Sequence, residues 1–318
     1  MSPARRRATP LPIRDGLNAS RVRCPEPGAT ALALITAAVE GQQHRHPDDD
    51  AAAIARRFAD GLVVDNKGRA VAPHQPLKPG TDLWFYRIPA PEPQIAGPMP
   101  IIYSDADLVI VDKPPFLATT PRGRHITETA LVRLRRHLDE PDLVPAHRLD
   151  RLTSGVLVFV RRPEARRTYQ QLFTTPGAVL KIYEALAPTP PTPICDGTEI
   201  ATRQDKVRGV LQAFTVPGQP NARTVIESVR PLAEDPQVAV WRLRPLTGRT
   251  HQLRLHLCEL GCPIIGDPLY PTVSAVADED PTQPMHLVCR EMRLTHPDSG
   301  DSVHVRASRQ LHVPTQQG

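Results

Sequence analysis

No stretch of this sequence approaches the ~20 consecutive apolar residues that a membrane-spanning helix needs. Met1–Arg14 carries Arg5, Arg6 and Arg7 but no apolar h-region, so no secretory signal is expected. Cysteine is sparse: Cys24, Cys195, Cys258, Cys262 and Cys289 are odd in number and scattered. That argues against a disulfide framework and for a reducing cytoplasm. Cys258 and Cys262 lie four apart near His251 and His256, but zinc pairs are usually tighter and matched by a second pair. Two small thiols on a helix are expected there, and no metal. No internal repeat marks a solenoid. Lysine is scarce too, supplying only 5 of the 39 basic residues.

What is there fits a folded chain. The 318 residues suggest about two domains at ~150 residues each. Hydrophobic residues at 40% and charged residues at 23% suit a globular protein. The other basic residues are all Arg, against 34 acidic residues and a net charge of only +5. Arg carries a planar fork that grips phosphates, which suits a nucleic-acid partner. Codon drift explains the same bias, and the 37 Pro point that way. Composition leaves both open.

Along the chain, residues 1–23 form a basic tail without apolar periodicity. Residues 24–88 hold two helices, Ala29–Glu40 and Asp48–Ala59, followed by strand-like Leu62–Val64 and Thr81–Arg87. The Asp run at 48–50 supplies an N-cap and favourable dipole charge to the second helix. A Pro-rich linker at 89–100 marks a boundary. The remainder, 101–318, mixes strands with fewer helices. Helices are expected over 127–137, 164–173 and 250–259, and strands near 108–111, 155–160, 183–187, 222–229, 239–243, 287–294 and 302–307. This order is no regular βαβ alternation, so the expected class is α+β: a mixed, largely antiparallel sheet with flanking helices, plus the small N-terminal α+β module.

The most unusual local feature is His147-Arg148-Leu149-Asp150-Arg151-Leu152-Thr153-Ser154-Gly155, running into the apolar GVLVFV. A carboxylate set between two guanidinium groups at a strand mouth stays ionised at neutral pH. That state suits a nucleophile or base, and the Arg pair suits phosphate. A salt-bridged turn explains the same pattern. A His147/Ser154/Asp150 triad is rejected, because no G-x-S-x-G elbow is present and triads are assembled from distant segments.

HRLDRLTSGVLVF resembles the signature of the RluA-type RNA pseudouridine synthases. Four further ordered stretches resemble elements of that family: Asp112-Lys113-Pro114-Pro115 with Thr120-Pro121, Lys181–Leu186 (KIYEAL), Leu246–His256 (LTGRTHQLRLH), and Cys262–Tyr270 (CPIIGDPLY). Met285–Pro297 resembles its closing segment. Thr120 stands where many relatives have His before Pro. The N-terminal module only loosely resembles an S4-type RNA-binding fold, in degenerate form, because its helices carry Arg56 and Arg57 but otherwise mostly Ala and acidic residues.

The resemblance implies isomerisation of uridine in rRNA or tRNA to pseudouridine, with no cofactor, since the product is an isomer. It implies that Asp150 acts at the ribose while the N-glycosidic bond breaks. It implies that Tyr183 stacks on the target base and takes part in proton transfer at C5, and that Arg254 pairs with the carboxylate. It also implies that Arg148 enters the RNA helix in place of the extruded uridine, whose unstacking such contacts offset. Ile264 or Ile265 walls the base pocket. Arg151, Arg249, His251 and the pair Arg161 and Arg162 are candidate RNA contacts. RNA is the expected partner, with no obligatory protein partner. Two rival readings stand beside this one. The first is a non-catalytic RNA-binding or RNA-folding protein on the same scaffold. The second is a glycosidase, disfavoured because such enzymes pair two carboxylates and only one Asp stands in the signature.

Overall fold

The structure, a computed structural model, describes residues 9–274 and 279–311. The chain divides into two compact units, Met1–Gln94 with Thr120–Pro141, and Ile95–Thr119 with Asp142–Gly318. This corrects the expected boundaries. The division falls within the Pro-rich run, and residues 120–141 belong with the N-terminal unit instead of the 101–318 block. The reason is local bonding that hydrophobic periodicity does not reveal. Glu92 accepts hydrogen bonds from the backbone N–H groups of Ile126, Thr127 and Glu128, at 2.8, 2.7 and 3.1 Å. Arg135 donates to the Gly16 carbonyl at 3.0 Å, and Arg136 pairs with Asp15 at 2.6 Å.

In the first unit, β1 (Ser20–Arg23) pairs antiparallel with β2 (Asp82–Phe85), with Arg21 opposite Trp84. Residues 20–23 are therefore strand and not tail; residues 1–8 lie outside the described residues. Between the strands run α1 (Ala31–Glu40) and α2 (Ala51–Ala59). Thr30 caps α1 by accepting from Ala33 N–H, and Asp50 caps α2 by accepting from Ala53 N–H. Each satisfies a donor that the first helical turn leaves orphaned. Ile35, Val39, Ile54, Leu83 and Phe85 close the core. The expected strand at 62–64 is reduced to bridges of Val64 with Ala70 and Trp84. Arg57 is taken up by an ion pair with the buried Asp49, so it is not a free phosphate ligand. The third helix of this unit is α3 (Ala130–Leu138), capped by Thr129.

The second unit is built on one large sheet. Its strands are β3 (Ile101–Ser104), β4 (Leu108–Lys113), β5 (Val144–Pro145), β6 (Ser154–Val160), β7 (Val179–Pro188), β8 (Thr198–Thr202), β11 (Ala222–Pro231), β12 (Val238–Pro245), β13 (Leu287–Thr295) and β14 (Ser302–Arg306). A separate small hairpin joins β9 (Gln204–Asp205) to β10 (Phe214–Thr215). The spatial order is β3-β4-β6-β13-β7-β12-β11-β8, with β14 against β13 and β5 against β6. Among the described strands of this sheet, only β6 and β13 run parallel. The sheet is thus mixed and largely antiparallel, as expected.

The sequence explains the layering. β4 and β6 are buried along their whole length, in keeping with their unbroken apolar runs. β12 alternates instead. Ala239, Trp241 and Leu243 bury against Leu253 and Leu257 of α5 (Gln252–Glu259), while Arg242 and Arg244 turn to the other face and pair with Glu184, Glu227 and Glu291. The remaining helix, α4 (Arg166–Leu172), buries Tyr169. One glycine is fixed by close approach. Gly155 has φ +100°, and a Cβ there would lie 2.2 Å from the Cys289 carbonyl oxygen. Only glycine lets β6 meet β13 at this point.

Candidate active site

Asp150 sits in the turn that leads into β6, and its backbone is clamped on both sides. On one side, Leu149 exchanges bonds with the Thr119 hydroxyl, its carbonyl accepting at 2.8 Å and its N–H donating at 3.2 Å. On the other, the fully buried Lys113 ammonium at the end of β4 donates to the carbonyls of Pro114, Leu117 and Arg151 at 2.9, 2.7 and 3.1 Å. Burial pulls the Lys113 pKa well down, against the opposing pull of Asp150. Lys113 belongs to a stretch that carries the family resemblance, but its positioning contacts are visible only in the fold.

Arg254, on the first turns of α5, is 3% exposed and reaches Asp150 with Nη1 at 3.5 Å. Its other two nitrogens form a fork on Asp267, Nε at 2.7 Å and Nη2 at 2.6 Å. Asp267 is itself wholly buried and also accepts from Leu269 N–H at 2.8 Å. Burial opposes the Arg254 charge, but the bonds and charge of Asp267 outweigh it and raise the pKa. A planar guanidinium held by a bidentate carboxylate has a fixed direction, so its third nitrogen is aimed. Sequence reasoning does not single out Asp267 as a site residue. The signal available is the Gly266-Asp267 pair: Gly266 has φ +76°, and a Cβ there would lie 2.7 Å from the Pro284 carbonyl.

Tyr183 on β7 is half-buried and packs against the cluster that contains Ile264, Leu152, Leu243 and Phe116. Burial, then Cys289, then the charge of Asp150 raise its pKa well above the usual phenol value, so it stays protonated. Ile264 belongs to that cluster. Ile265 does not, being used by its backbone, which pairs with Leu186 and His286. A cavity of about 270 Å³ opens beside Asp150 and Arg254, lined by Asp150, Arg151, His251, Arg254, Leu211 and Glu279 among others. Tyr183 and Ile264 do not line it and meet it only through Leu152, which belongs to both the lining and their cluster. Glu279 is a second residue that sequence reasoning does not find; it pairs with Arg151. A second carboxylate therefore does line the cavity, but Arg151 engages it. Arg151 lies over the Phe116 ring as well, at 5.8 Å.

The remaining candidates separate. Arg148 is exposed and makes no ion pair among the described residues. Arg249 is exposed, and its Nε donates to the Asn221 carbonyl at 3.2 Å. Arg161 and Arg162 are not brought to the site. They follow the last residue of β6, about 20 Å from its first at ~3.3 Å per residue, and they hold Ser104 and Asp107. Cys258 and Cys262 are free thiols, and no cluster of three or more metal-ligating side chains occurs among the described residues. No helix among them is long and apolar enough to cross a membrane.

The RNA pseudouridylate synthase family profile matches residues 107–259. The dual-specificity RNA pseudouridine synthase RluA of Escherichia coli is 33% identical over 212 residues, covering 65% of this chain and 91% of that protein. The chain belongs to the RluA-type RNA pseudouridine synthases. An uncharacterised RNA pseudouridine synthase of Synechocystis is 29% identical, covering 80% of this chain and 82% of that one. The mitochondrial tRNA pseudouridine(32) synthase of Saccharomyces cerevisiae is 29% identical over 59% of this chain, which spans only 41% of its length. As a pseudouridine synthase the protein is an isomerase that acts on RNA. The mixed sheet is the fold expected of that family.

Proposed function

We propose that this pseudouridine synthase modifies specific uridines of tRNA or rRNA, and that Asp150 is its working carboxylate. The observation that carries the assignment is the aimed guanidinium. Arg254 is pinned by Asp267, and its remaining nitrogen lies 3.5 Å from Asp150. An adjacent, immobile cation fixes the direction in which that carboxylate points.

In this reading the extruded uridine enters the cavity beside Asp150. The carboxylate acts at the ribose as the C1′–N1 bond breaks, the freed uracil turns, and C5 forms the new bond to C1′. The hydrogen on C5 leaves as a proton and N1 gains one, so atoms balance and no cofactor is consumed. Tyr183 and Ile264, packed with the cavity-lining Leu152, offer an apolar wall to the turning base; a ring face tolerates several base orientations. Arg148, exposed two residues before Asp150, fills the gap left in the RNA. Arg249 meets the phosphate backbone beyond it. The RNA class rests on relatives: the yeast protein is named for tRNA and the E. coli protein for dual specificity. Five free thiols suit a cytoplasmic location.

Pseudouridine mapping of total RNA from cells with and without the protein tests the reading. At least one site in tRNA or rRNA is expected to disappear. An unchanged map, with RNA binding intact, would favour a non-catalytic RNA-folding role.

A further inference from the structure

We propose that His251 is the base that removes the C5 proton, presenting an unprotonated Nε2 to the cavity. The proposal rests on the pseudouridine reading above and assigns a step that reading leaves without an agent.

The tautomer follows from three contacts to one hydroxyl. Tyr270 Oη accepts from Ala213 N–H at 2.7 Å and lies 3.0 Å from the Ala213 carbonyl oxygen and 3.1 Å from His251 Nδ1. A hydroxyl has one hydrogen. The Ala213 carbonyl has only lone pairs to offer, so a 3.0 Å approach is favourable only if that hydrogen lies on it. His251 must then bring its own hydrogen to Tyr270, on Nδ1. The second nitrogen, Nε2, is left with a bare lone pair, and it bonds to none of the described residues. His251 lines the same cavity as Asp150 and Arg254. Burial favours the neutral ring, with Asp150 pulling the other way.

The backbone supplies a separate reason. His251 sits at φ +60°, ψ +18°, directly before α5. The left-handed region is unfavourable for a histidine, and such strain gathers at functional positions. Here it turns the ring into the cavity and against Tyr270, whose ring it meets edge-on at 5.8 Å.

The other groups around the cavity are unsuited to the step. Asp150 is occupied at the ribose, Arg254 is a cation locked by Asp267, and Glu279 is paired with Arg151; the Tyr183 phenol, which does not line the cavity, keeps its proton. Once C5 has bonded to C1′, its C–H bond must break. The electron pair stays in the uracil ring, restoring the C5–C6 double bond. The proton passes to Nε2, giving an imidazolium beside the Asp150 carboxylate, and is then lost to solvent.

His251→Asn is the discriminating variant. Asn keeps an N–H for Tyr270, accepts the left-handed backbone readily and offers no base at the Nε2 position. Conversion of uridine in RNA is expected to fall by ~10²- to 10⁴-fold, the usual worth of a positioned base. A primary isotope effect on [5-²H]uridine RNA, above that of the wild type, is expected. Rearrangement of RNA carrying 5-fluorouridine, which has no C5 proton to lose, should proceed within about threefold of wild type, read as a fluorinated C-nucleoside in the digest. Wild-type kcat in the variant, or equal loss on both substrates without an isotope effect, would overturn the assignment. Wild-type protein that converts neither substrate would contradict the proposed function itself, and this inference with it.

Discussion

Arg254 and Asp267 are joined by two hydrogen bonds, at 2.7 and 2.6 Å, with 3% and 0% of their side chains exposed. The pair is what gives the guanidinium its direction toward Asp150. Removing one partner of a buried pair leaves the other charge uncompensated. Asp267→Ala is therefore expected to destabilise the protein by about 3 to 5 kcal/mol, read as the urea midpoint. Asp267→Asn, which keeps the shape, should cost less stability yet lower kcat more than it raises KM. A wild-type kcat in Asp267→Asn would show that Arg254 needs no such partner.

The RNA contacts divide by position. Arg148 is exposed beside Asp150, whereas Arg162 holds Asp107 beyond the far end of β6. Arg148→Ala should raise KM, and Arg249→Ala should reduce the slope of log affinity against log salt by about 0.7 to 0.9, the worth of one phosphate contact. Arg162→Ala should change neither. Filter binding to substrate RNA across a salt series separates them, and equal effects would place RNA across both ends of the strand.

His256 gives the stability a pH dependence of known sign. It lies between the Thr202 and Thr224 hydroxyls, and burial lowers its pKa to about 4 from 6.5. Between those values the unfolded chain binds a proton that the folded chain does not. Stability is then lost as pH falls through this window, by about 2 kcal/mol for this group at pH 5. His256→Gln should be less stable than wild type at pH 7, yet should lose about 2 kcal/mol less between pH 7 and pH 5. Urea unfolding at the two pH values reads the difference.

Much of the fold and site is legible in the amino-acid sequence alone. The cap supplied by the Asp run at 48–50, the apolar runs of β4 and β6, and the carboxylate set between Arg148 and Arg151 are local features. So is the resemblance that brings Asp150 and Arg254 together. Long-range polar bonding is not legible there. Glu92 reaching the N–H groups of residues 126–128 moves a helix into the first unit, and no periodicity encodes that. β1 is four residues with two Arg, too short and too charged to read as a strand until Trp84 and Leu83 lie opposite. Asp267, Glu279 and Lys113 act through specific polar contacts, so their roles follow only from their neighbours in the fold. Arg161 and Arg162 fail as site residues for a related reason: closeness to Asp150 in sequence is undone by an extended strand.

That Asp150 drives the rearrangement is read most plainly from tritium release by RNA labelled at uracil C5, comparing the wild type with Asp150→Asn. Asp150 is a turn side chain about one-third exposed, with a single 3.5 Å ion-pair contact, so the variant should fold normally. Wild-type protein should release label, while the Asn variant should bind the same RNA and release less than about a thousandth as much, in line with loss of a nucleophilic or acid–base group. Release by Asp150→Asn at a rate near that of the wild type would contradict the role assigned to this carboxylate.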